Sequence, residues 1–134
     1  MRGILDDLLE QWPEGPIPDR PVTGHRCDEC DETDRLIGGR TWRDVAIDFP
    51  DYCHDVFPLL TEPAKNYYLP AFMYAAISKG NGQSTSVEYY LLSDDFHSSA
   101  FTKRQLSLVK HWVQAALVGN SDPGNLATIF GKLS

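Results

Sequence analysis

The chain has 134 residues, enough for one domain with a real core and no disulfide staples, and 42% hydrophobic with 11% aromatic content argues for a folded globule. The formal charge is −7 and unevenly spread: residues 1–62 hold 15 acids against 6 basic residues, a balance of −9, and residues 63–134 hold 4 against 6, a balance of +2. That sign argues against nucleic acid as a partner, because neutralising phosphates needs Lys and Arg. Three cysteines (Cys27, Cys30, Cys53) cannot form a fully paired disulfide framework, and early acids interrupt the first ten residues too soon for a secretory signal. The expected compartment is the cytoplasm.

Ile4, Leu5, Leu8, Leu9 and Trp12 recur at three- and four-residue spacing, which predicts an amphipathic helix of two to three turns ended by Pro13. Residues 13–24 follow as a proline-rich extended segment, with Ile17 and Val22 as apolar handles for lying along the body. Asp28 to Leu36 suits a short helix stopped by Gly38-Gly39. Trp42, Val45, Ile47 and Phe49 fit either a helical turn or a short alternating run; a helical turn is expected. Asp51 to Leu60 reads as a further helix, made short or irregular by Pro58.

The centre of the fold is expected at Thr61–Ser78. Thr61 is an N-cap type, Pro63 sits in the first turn, and from Tyr67 to Ile77 no residue is charged. A helix apolar on every face is normally buried at a core, and this run falls short of the ~20 residues a bilayer needs. Pro70 inside it predicts a kink, with the Asn66 carbonyl lacking its intrahelical donor.

Lys79 to Ser86 reads as a flexible turn, without the Gly-Lys-Ser/Thr ending of a phosphate loop. Val87 to Leu92 is a short apolar element, read as helical. Thr102 and Gln105 have capping-box spacing and open a helix with a stripe of Leu106, Val109, Trp112, Val113, Ala116 and Leu117. Asp122-Pro123 starts a last helix. The expected fold class is all-α: residues 1–134 as a single irregular helical domain around a central, Pro-kinked buried helix.

Two local patterns carry chemistry. His25, Cys27, Cys30 and Cys53 could supply four N or S ligands to zinc, although a second Cys-x2-Cys or His-x3–5-His pair is missing and the alternative is a pair of small packed thiols. A redox reading of Cys27 and Cys30 is disfavoured, because the preceding chain is proline-rich rather than the strand of a βαβ unit and the neighbouring acids oppose a thiolate. Those acids, Asp28, Glu29, Asp31, Glu32 and Asp34, do not match a calcium loop. They form either a solvated helix start or a docking face for Arg and Lys of a basic protein partner. His97 and His111 stand alone, the serines around His97 lack a nucleophile elbow, and no catalytic set emerges; the chain is not expected to be an enzyme.

His25-x-Cys27-x-Glu29-Cys30, Gly39-Arg-Thr-Trp42-Arg-Asp44, Leu60-Thr-Glu-Pro-Ala64 and Tyr67-Tyr-Leu-Pro-Ala-Phe72 together resemble a bacterial domain-of-unknown-function family of short proteins, over about residues 25–118. The resemblance implies a bacterial, cytoplasmic, helical protein and brings no catalytic residues. By analogy with small stand-alone proteins that neutralise toxins, the expectation is an acidic immunity protein or inhibitor covering a basic toxin or nuclease. The alternative is a structural or regulatory zinc domain anchored on Cys27 and Cys30. No membrane association and no cofactor besides that zinc are expected.

Overall fold

A computed structural model describes residues 3–24, 27–50, 57–79 and 83–134. Among them the regular structure is helical: α1 Ile4–Gln11, α2 Asp28–Ile37, α3 Trp42–Ile47, α4 Glu62–Ser78, α5 Gln83–Leu92, α6 Lys103–Ala116 and α7 Pro123–Leu133, with short 3-10 turns at Phe57–Leu59 and Ser98–Ala100. The helix expected over Asp51–Leu60 lies mostly outside the described residues; its last part is the Phe57–Leu59 turn. His25, Cys53 and the Gly80–Gly82 part of the expected turn also lie outside them.

α3, α4, α6 and α7 start where side chains accept the orphan N–H groups of a first turn. Thr41, Thr61 and Asp122 accept from the amides of Asp44, Ala64 and Asn125. At α6 both arms of the capping box form: the Gln105 N–H donates to Thr102 Oγ1 at 3.1 Å and the Thr102 N–H to Gln105 Oε1 at 2.8 Å.

α4 occupies the centre, packed against α1, α3, α5 and α6. Tyr68, Leu69, Pro70, Ala71, Phe72 and Met73 are all buried, so all sides of the helix meet other parts of the chain. The helix runs through Pro70 from Glu62 to Ser78, and its tertiary packing on every side compensates the hydrogen bond that proline removes. The side chain of Asn66, one turn earlier, accepts from the Tyr90 hydroxyl of α5. One connected apolar cluster runs from Ile4 to Leu133, with Trp42 and Trp112 fully buried. The Trp112 indole N–H donates to the Met73 carbonyl at 2.8 Å and thereby ties α6 to α4.

One expectation shifts, at the start of α5, and one is borne out, at Trp42. α5 begins at Gln83, so Ser84–Ser86 is helical rather than part of a turn; burial of Ser86 and Val87 outweighs the weak helix propensity of the Ser/Thr run. Helix wins at Trp42–Ile47, where Ile47 is 65% exposed: in a strand it would have shared a face with buried Val45 and Phe49. No helix among the described residues is long and apolar enough to cross a membrane.

The proline-rich segment is fastened at several points. The Trp42 indole N–H donates to the Pro13 carbonyl at 2.9 Å, and Arg43 donates to the carbonyls of Leu9 and Trp12. At its far end Val22 is buried, and Thr23 bridges Leu60 in antiparallel fashion. Between these points the segment meets α2 through Asp34.

Candidate functional site

α2 presents two opposite chemistries. A helix turns roughly 100° per residue, which places Cys30, Thr33 and Ile37 on one side; all three are fully buried. Asp28, Glu29, Asp31 and Glu32 spread over an arc of about 160° centred opposite Cys30, and all four are exposed. They occupy the first turn and a half, where the helix dipole favours negative charge. Among the described residues no cation lies within ion-pair distance of any of them. Acids elsewhere do have partners: Asp44 and Asp48 face Arg40, Glu14 faces Arg43 and Asp95 faces Lys65.

Asp34 departs from the docking role expected for it. Its side chain is only 18% exposed and turns toward the proline-rich segment. One oxygen accepts the Val22 N–H at 2.8 Å, and the other accepts from Arg20 at 2.9 and 3.1 Å. Burial pushes this carboxyl up, but the Arg20 hydrogen bond, the Val22 amide and the Arg20 charge outweigh that and hold it below the ordinary aspartate range. The Asp34 carboxylate therefore fastens the fold, and the exposed acidic face consists of the other four.

The same end of α2 is held a second time, by Tyr68. The Tyr68 hydroxyl lies 2.9 Å from the Ile37 carbonyl and 2.8 Å from that of Arg40, so one donor serves two acceptors where α2 ends. Burial pushes the Tyr68 phenol well above its usual range, so it remains a donor at any ordinary pH. Gly38 fits closely here: a Cβ would come within 2.5 Å of the Asp34 carbonyl oxygen.

Cys27 is the N-cap of α2; its sulfur accepts the Cys30 N–H at 3.2 Å. The two sulfurs are 2.8 Å apart, with Cys27 exposed and Cys30 buried. Two thiolates on one tetrahedral zinc stand about 3.8 Å apart, from a Zn–S bond of about 2.3 Å, so this pair would have to open to chelate. Of the four expected zinc ligands only these two are described, and among the described residues no three metal-ligating side chains are grouped.

A concavity with no motif in the sequence lies beside α5. Phe57, Pro58, Tyr89 and Tyr90 line an open, largely apolar pocket of about 300 Å³, with Lys65 and Asp95 3.9 Å apart at its edge. Tyr89, 75% exposed, is its one sequence signal, since the residue looks like core by type. His97 and His111 are exposed and stand apart from the cysteines in sequence; His111 Nδ1 is 3.9 Å from Asp7.

Compared with protein-family models, curated proteins and solved structures, the chain shows no match.

Proposed function

We propose that the chain is a binding protein, an acidic inhibitor of the immunity-protein kind, that docks a basic protein surface on α2. One observation carries this reading. Asp28, Glu29, Asp31 and Glu32 are exposed together on a helix whose last four residues are fastened through Asp34 and Ile37, with no cation beside them among the described residues. Such an anionic patch speeds encounter with a complementary cationic partner and selects against acidic ones. Inhibition follows by steric occlusion, so the chain needs no reactive group of its own. The bacterial resemblance of its sequence segments fits this reading.

The test is a comparative pull-down from the native cells with three baits: the natural chain, Glu29→Lys/Glu32→Lys, and Asp94→Lys, which changes an exposed acid off this face. A stoichiometric basic protein held by the first and third baits and lost by the second supports the proposal. Equal recovery by all three removes α2 as the docking face.

A further inference from the structure

The pocket beside α5 supports an inference independent of the docking face. Its volume of about 300 Å³ stands at the lower end of the range that takes small ligands. The lining is aromatic and held in place: Phe57 and Tyr90 meet edge to face, 5.2 Å between ring centroids, and both are buried. Exposed Tyr89 completes it. Two polar groups of the lining are spent within the chain, since the Tyr90 hydroxyl donates to Asn66 and the Ser93 hydroxyl to the Tyr90 carbonyl. Lys65 differs. Its side chain is only 15% exposed, and its ammonium lies over the Tyr90 ring, 5.8 Å from the centroid. Among the described residues one acid, Asp95, comes within ion-pair distance, and at 3.9 Å it is beyond hydrogen-bond reach. Three ammonium donors therefore face the pocket with no acceptor from the described residues. Asp95 and Glu62, the latter one turn before Lys65, are exposed and hydrated.

We propose that this pocket binds small aromatic monocarboxylates. The ligand ring lies against Phe57, Tyr89 and Tyr90, and its carboxylate accepts hydrogen bonds from Lys65 Nζ in place of the loose pair with Asp95. Such charge-assisted bonds are roughly twice as strong as neutral ones, and here they fill donors that burial has taken from water. The ring supplies apolar area and edge-to-face contacts that an aliphatic acid lacks. A cationic ligand is disfavoured, because Lys65 already occupies the face of Tyr90 and would repel it. Lys65 projects from α4, and Tyr89 and Tyr90 from α5, so most of the slot stands on two helices packed together rather than on a loop.

The full chain is titrated with naphthylacetate, its neutral amide naphthylacetamide, the cation naphthylmethylammonium, and the aliphatic acid hexanoate, followed by calorimetry and by amide NMR shifts. Naphthylacetate should saturate one site with a Kd below about 1 mM, with the shifts centred on Lys65, Tyr89 and Tyr90. The amide should bind about tenfold more weakly, and the cation and hexanoate also more weakly. Lys65→Met, which keeps an apolar stem, and Tyr89→Ala, at an exposed position, should each weaken naphthylacetate about tenfold. Asp95→Asn should tighten it by removing the competing acid. If Lys65→Met fails to fold by circular dichroism, Tyr89→Ala and the four probes on the natural chain decide. No saturation by about 10 mM, or shifts confined to another part of the molecule, overturns the pocket. Amide or cation bound as tightly as the acid, or unchanged affinity in a folded Lys65→Met chain, overturns the ligand class.

Discussion

Replacing Asp34 separates its two structural duties. Asp34→Ala removes the acceptor for the Val22 amide, whose residue is fully buried, and also the partner of Arg20. A buried N–H left without an acceptor costs about 1–3 kcal/mol, and that term dominates the expected loss. The Arg20 pair contributes little, because the guanidinium is more than half exposed and screened. Asp34→Asn keeps a carbonyl oxygen for the Val22 amide and gives up only the ion pair, so it should retain most of the stability. At about 2.1 cal/mol/K of unfolding entropy per residue, a 2 kcal/mol loss lowers Tm by about 7 °C. The assay is urea and thermal unfolding followed by fluorescence of the buried Trp12, Trp42 and Trp112.

Acid supplies a second check on the same residue. The native carboxyl titrates below its unfolded value, so its contribution is complete above about pH 4 and disappears as pH falls through the depressed native pKa. The gap between the natural chain and Asp34→Ala should hold steady from neutral pH down to about pH 4 and narrow only below it. Equal damage from Asn and Ala, or a gap that already closes between pH 7 and 5, would mean that Asp34 does not hold the Val22 amide as its ionised carboxylate.

Further outcomes follow from other contacts. Tyr68→Phe removes the hydroxyl between the Ile37 and Arg40 carbonyls and should cost about 1–3 kcal/mol in urea unfolding. Thr102→Ala opens the α6 capping box and should cost about 1 kcal/mol, with Thr102→Ser restoring most of it. Gly38→Ala drives a Cβ onto the Asp34 carbonyl and should destabilise more than Gly131→Ala, which meets open space; equal melting temperatures would contradict the close packing where α2 ends.

Much of the fold is legible in the sequence because its signals are local. Thr61, Thr102 and Asp122 declare helix starts by their own side-chain chemistry, and the uncharged run Tyr67–Ile77 declares burial on every side. Signals fail where distant residues decide. Nothing near Ser84–Ser86 says helix; the buried positions in α5 do. Asp34 looks like its four acidic neighbours, and only the arrival of Arg20 and Val22 separates it from them. The cysteine spacing is visible in the sequence, whereas the exposure of one sulfur, the burial of the other and their 2.8 Å approach come from the packing of α2.

The proposed docking surface is the four exposed carboxylates of α2, Asp28, Glu29, Asp31 and Glu32. The most direct test is the affinity of the purified partner recovered by pull-down for the natural chain and for Glu29→Lys/Glu32→Lys, measured by calorimetry across 50–500 mM salt as an approximate span around physiological screening. Affinity should fall steeply with salt for the natural chain, and the variant should bind more weakly and nearly independently of salt. Equal affinities with the same salt dependence would place the interface elsewhere on the molecule.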